Sequence, residues 1–214
     1  MRGRTVLRTI RLGGWDPSLL RGFLLALLFL AGALAGHLYA GACGEETQGA
    51  LAQYLRDYCA VYDAGGVAVS MASCALMYFG CGLLVFLFGF SAAGVALIPA
   101  LAGGFGFLTM YTISCFVRCY GRAGVPLAMG VLLVRLVFTL PCFFALAGEA
   151  WPMSMELFAL SFGRGKRSAP VLYGSRYLLL FVLCAVILAV GMCCERFLTP
   201  LLFRLALGEV LSPG

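Results

Sequence analysis

The fold class this sequence predicts is all-α: a polytopic bundle of about five transmembrane helices with short interfacial helices beside them. Three observations predict it. Of 214 residues, 63% are hydrophobic and only 11% are charged, against about 25% charged in soluble domains. The chain holds 28 glycines, about twice the usual frequency. Apolar runs long enough to cross a bilayer recur along it. A soluble domain of this size has a polar surface to cover, and few side chains here can cover it. Disorder needs low hydrophobicity and high charge, the reverse of this composition. At about 20 residues per spanning helix plus loops, four to six helices fit. The whole chain, 1–214, is therefore read as one integral membrane domain.

The elements follow in order. Arg2, Arg4, Arg8, Arg11 and Arg21 open the chain, offset by Asp16. The first span is 22–42, too long for a secretory signal core. The segment 43–66 is a long acidic loop with Glu45, Glu46, Asp57 and Asp63. It has room for a short amphipathic helix around Ala50–Tyr58. From Val67 to Val117 no charged residue occurs, a stretch too long for one span and suited to two. Gly89, Ser91 and Gly94 place the break, giving spans 69–88 and 95–117. Pro99 and the glycines after it are expected to loosen or kink the latter. Arg118, Gly121, Arg122 and Gly124 mark a turn before the fourth span, 125–147. The segment 149–176 is read as a second loop. Its apolar stretch Trp151–Phe162 looks like an interfacial helix, followed by Arg164, Lys166 and Arg167. The fifth span is 177–194. Thr199 and Pro200 then form an N-cap and first-turn pair for a short surface helix.

Five spans put the termini on opposite sides. With the N-terminus inside, nine Lys and Arg fall inside (Arg2, Arg4, Arg8, Arg11, Arg21, Arg164, Lys166, Arg167 and Arg176). Five fall outside (Arg56, Arg118, Arg122, Arg196 and Arg204). The bias favours a cytoplasmic N-terminus, an outer loop 43–66, a cytoplasmic loop 149–176 and an extracytoplasmic C-terminus. Arg118 and Arg122 run against it. The net charge of +6 comes from clusters beside apolar runs. It does not form a stripe with interleaved aromatics, so no nucleic-acid partner is expected.

Arg135 is the most expensive residue. A charge at the bilayer centre costs at least about 2.5–3.5 kcal/mol. Two readings stand. It faces the bundle and binds an anion, a lipid headgroup or a partner carboxylate. Or it bonds carbonyls freed near Pro141, or sits at a local thinning of the lipid. No acidic residue falls inside another predicted span. Glu149 and Glu195 sit near helix ends and reach it only if the bundle is compact. His37, the only histidine, lacks the clustered partners of a metal site and is read as hydrogen-bonded at an interface. Neither a zincin motif, a Gly-x-Ser-x-Gly elbow nor a Walker loop is present. Neither an enzymatic activity nor a cofactor is expected.

Ten cysteines occur. Those inside spans behave as small hydrophobes. Cys43 and Cys59 flank the acidic loop and are a candidate disulfide if it faces an oxidising compartment. Glycines mark close helix contacts, because small residues let backbones approach where lipid gives no hydrophobic drive. Gly32 and Gly36 form a Gly-x-x-x-Gly step, and Gly103, Gly104 and Gly106 cluster in the third span. They serve packing within the bundle or a docking face for a partner span. Homo-oligomer formation stays open.

The chain resembles the stage II sporulation protein M family. The resemblance is carried by Phe23–Gly36 (FLLALLFLAGALAG), the Gly/Ala-rich hairpin Phe88–Phe107 and Val134–Ala147 with Pro141. Tyr173–Phe181 (YGSRYLLLF) and the closing segment Glu195–Leu205 complete it. It implies a membrane scaffold that supports forespore engulfment at the septum. Its implied partners are peptidoglycan-degrading proteins, stage II sporulation proteins P and D, besides membrane lipid. A small transporter permease or channel subunit is the competing expectation, resting on Arg135 and the glycine-broken helices.

Overall fold

Among the described residues five helices organise the chain: α1 (Pro17–Ala42), α2 (Met71–Gly89), α3 (Gly94–Tyr120), α4 (Gly124–Ser161) and α5 (Ser175–Leu211). The computed structural model describes residues 17–42, 53, 71–121, 124–161 and 175–211. Among the described residues there is no strand. All five helices contain a segment long and apolar enough to cross a membrane, which is consistent with a multi-pass membrane protein. Their outward faces carry large apolar side chains, such as Leu34 at 62% exposure and Leu179 at 69%. In water such continuous apolar faces drive association. In lipid they are the solvated surface.

Helix α4 is central. It packs against α2, α3 and α5, while α1 lies chiefly along α3. The core gathers Tyr78 and Val85 from α2, Ile98 and Ala102 from α3, Phe143, Leu146 and Trp151 from α4, and Leu188 from α5. Leu25 is the contribution of α1.

The α1–α3 seam rests on glycine. A Cβ on Gly32 would collide with the Gly103 carbonyl, and one on Gly36 with the Phe107 carbonyl. A Cβ on Gly106 would strike the Phe29 carbonyl. Residue numbers rise together along the seam, so the two helices run parallel. Beyond the glycines, Tyr39 packs on Phe107 with ring centroids 5.8 Å apart.

The α2–α3 turn, Phe90–Ala93, falls where Gly89, Ser91 and Gly94 predict it. A turn at membrane depth must satisfy its own carbonyls. Ser154 Oγ donates to the Ser91 carbonyl (2.6 Å) and Tyr177 OH to the Phe86 carbonyl (3.2 Å). Trp151 Nε1 donates to the Val95 carbonyl (3.2 Å). Val95 is four residues before Pro99, whose ring nitrogen has no hydrogen to give it. The indole supplies the missing donor. The proline thus leaves α3 continuous from Gly94 to Tyr120.

These bonds explain the main departure from the sequence reading. The fourth helix does not end at Ala147. It continues through Pro152 to Ser161, so Trp151–Ser161 is helix α4 itself and not a separate interfacial helix. Ala150, Trp151 and Ser154 are buried, and that docking outweighs the one backbone bond lost at Pro152. Glu156 falls on the exposed side. The fifth helix likewise passes Cys194 and Pro200 and reaches Leu211, where the sequence suggests a fresh start at Thr199. The acidic loop 43–66, its helix around Ala50–Tyr58 and the basic cluster Arg164–Arg167 lie outside the described residues, apart from Gln53, which falls in that helix.

Candidate functional site

The intramembrane polar cluster is built from three helices. Arg135 comes from α4, Glu195 from α5, and Met77 and Tyr78 from α2. Arg135 Nη2 donates to Glu195 Oε1 at 2.6 Å. The two side chains are 18% and 7% exposed. Arg135 Nη1 donates to Met77 Sδ at 3.1 Å, and its guanidinium carbon lies 5.8 Å from the centroid of the Tyr78 ring. A cation over an aromatic face gains further attraction where water is excluded. Tyr78 OH donates to the Gly191 carbonyl (3.2 Å), one turn before Glu195. Thr139 Oγ1 donates back to the Arg135 carbonyl (2.9 Å), a common way for a hydroxyl to be satisfied in a membrane helix.

Glycine sets the spacing here too. A Cβ on Gly191 would come within 2.7 Å of the Phe138 ring. Its absence lets α5 close onto α4, which brings Glu195 within reach of Arg135. Glu195 Oε2 is buried and has no hydrogen-bond partner among the described residues. The Arg135 guanidinium and the Tyr78 side chain both lie against the carboxylate.

Depth decides how much the charge costs. Ala150 packs on Gly89 beside the α2–α3 turn. From there back to Arg135 the helix climbs about 22 Å, at 1.5 Å per residue. The apolar core of a bilayer is about 30 Å thick. With the turn at one edge, Arg135 sits in the far third and not at the middle. A helical side chain leans toward its own N-terminus, so Arg135 leans toward the nearer edge.

Below the pair is a small void lined in part by Tyr78, Cys81, Thr139 and Cys142. Its volume is about 10 Å³, room for about one water molecule. The arrangement can neutralise a charge and pin three helices together.

The sequence-selected residues fall into three groups. Arg135 meets Glu195, which corrects the view that no acid lies inside another span: α5 outruns its predicted end and carries Glu195 within it. Gly32, Gly36, Gly103 and Gly106 come together along α1 and α3. Gly104 does not join them; it is exposed, with no atom near the position of a Cβ. Cys43 and Cys59 lie outside the described residues. His37 Nδ1 lies 2.9 Å from Ser114 Oγ, bridging α1 and α3. Sequence reasoning missed Tyr78 and Met77. Both look like ordinary apolar-span residues until α2 is placed beside Arg135. Among the described residues no group of His, Cys, Asp or Glu is gathered as for a metal ion. Comparison with family models, curated proteins and solved structures gives no match to this chain.

Proposed function

We propose that the chain is a non-enzymatic membrane scaffold, with its N-terminus in the cytoplasm and its C-terminus outside. One observation carries this reading: the Arg135 charge inside the bundle is neutralised from within, by Glu195. Arg135, Tyr78, Trp151, Ser154 and Tyr177 each donate a hydrogen bond to a neighbouring helix or to the α2–α3 turn. A bundle tied in this way keeps one shape and presents fixed surfaces. The transport reading leaned on Arg135 as an anion site, and Glu195 already fills that place.

The sequence resemblance supplies the setting. The scaffold would serve endospore formation, holding peptidoglycan-degrading partners at the septum during engulfment. The acidic segment 43–66 would face those partners from the outer side, with membrane lipid around the helices. The test is capture. A tagged chain purified from sporulating cells in mild detergent is expected to bring down a peptidoglycan hydrolase. Purification with no hydrolase, from cells that make both proteins, overturns the reading.

A further inference from the structure

Arg118 stands in the last turn of α3, exposed, at the end of the bundle opposite the α2–α3 turn. Among the described residues it takes part in no ion pair. From Gly94 to Arg118 the helix climbs about 36 Å at 1.5 Å per residue. A hydrocarbon core about 30 Å thick ends before that, and headgroups begin. The arginine side chain leans back toward the core. Its guanidinium is thus held at the boundary where lipid phosphates lie. Tyr39 and Tyr111, with ring centroids 6.0 Å apart, sit just inside that boundary, as tyrosines do where lipid meets water.

The guanidinium reaches across to α1. A Cβ on Gly41 would come within 2.9 Å of Arg118 Nη2, so the glycine makes the room it occupies. One turn earlier, His37 Nδ1 lies 2.9 Å from Ser114 Oγ. His37 and Gly41 are i and i+4 on α1, and Ser114 and Arg118 are i and i+4 on α3. The imidazole and the guanidinium are therefore neighbours along one α1–α3 groove. Ser114 is buried, while His37 and Arg118 are exposed. Leu34 and Leu38 share the His37–Gly41 stripe of α1 and are 62% and 63% exposed. They make an apolar track from the groove into the hydrocarbon, which a lipid can follow and a soluble anion cannot use.

We propose that this groove binds the phosphate of an anionic phospholipid. Arg118 takes the phosphate oxygens in a charge-assisted pair. With the Ser114 hydroxyl donating to Nδ1, the neutral His37 ring carries its proton on Nε2 and donates it to the same headgroup. The acyl chains lie along Leu34 and Leu38. The site explains why a basic residue ends α3 on the side that the charge bias leaves poor in basic residues. The inference is independent of the scaffold reading.

Native mass spectrometry of the full chain, released from detergent with added phosphatidylglycerol, counts the lipids that stay bound. One lipid is expected to bind ahead of the rest. Arg118→Gln should weaken that first site by about tenfold, the worth of one charge-assisted hydrogen bond. Gly41→Leu should weaken it too, because the new side chain takes the place of the guanidinium. Arg176→Gln removes an exposed cation from the opposite end of the bundle and should leave the first site unchanged. Glycerol phosphate, the headgroup charge without acyl chains, should leave no adduct at the same concentration. Binding as tight as the parent's in Arg118→Gln or in Gly41→Leu overturns the proposal, and so does loss of the first site in Arg176→Gln. Glycerol phosphate held as firmly as the lipid overturns the lipid as occupant.

Discussion

Glu195→Leu is expected to destabilise the bundle by about 3–5 kcal/mol, because it leaves the Arg135 guanidinium buried without its carboxylate. The partner variant, Arg135→Met, should also destabilise, because it leaves the buried Glu195 carboxylate without its cation. Replacing both, Arg135→Met with Glu195→Leu, should bring stability back to within about 1–2 kcal/mol of the parent, since an apolar pair of similar volume carries no desolvation penalty. Unfolding in mixed micelles at rising denaturing-detergent content reads all four proteins. The cycle isolates the pair, and a strongly non-additive result is expected because the two side chains touch. Additive losses would mean that the ion pair does not hold α4 to α5.

The second large effect is at the glycine seam. Gly106→Ala should cost at least about 1–3 kcal/mol, the range for overpacking a filled interior. Its Cβ would meet the Phe29 carbonyl, and backbone cannot swing aside as a flexible side chain can. Gly104→Ala, two residues away, should leave stability unchanged or slightly raised, since alanine favours helix over glycine and nothing lies near its Cβ. The comparison removes composition as an explanation, because both variants make the same chemical change in the same helix. The same micelle titration separates them. Equal losses at Gly104 and Gly106 would show that the seam is not where α1 and α3 meet.

The presence of five helices long and apolar enough to span was legible because hydropathy alone sets it. The break at Phe90–Ala93 was legible because Gly89, Ser91 and Gly94 are poor helix residues clustered in an otherwise unbroken apolar run. The length of α4 was not. Glu149, Pro152 and Glu156 look like the edge of a membrane, and only the α2–α3 turn shows why the helix goes on. Ser154 adds a donor to the Ser91 carbonyl of the turn, and Trp151 supplies one to the Val95 carbonyl that Pro99 frees in α3.

The polar cluster was half legible. Arg135 stood out because charge is scarce in the spans. Its partner did not, since the pairing depends on how α4 and α5 are set against each other. That register comes from contacts such as Gly191 on Phe138, which no periodicity reveals. Gly32, Gly36, Gly103 and Gly106 were legible as close-contact positions by residue type. Gly104 shows the limit: in a run of glycines, the face each one occupies follows from the neighbouring helix.

The central claim is that the Arg135–Glu195 pair shapes the bundle and does no other work. The most direct measurement is partner capture by the double variant, Arg135→Met with Glu195→Leu, from sporulating cells. On the scaffold reading proposed above, and with the pair structural, the folded double variant is expected to retain whatever peptidoglycan hydrolase the parent chain captures, in the same yield. A double variant that folds as stably as the parent yet captures no hydrolase would contradict the claim, and would make the ion pair part of the functional surface.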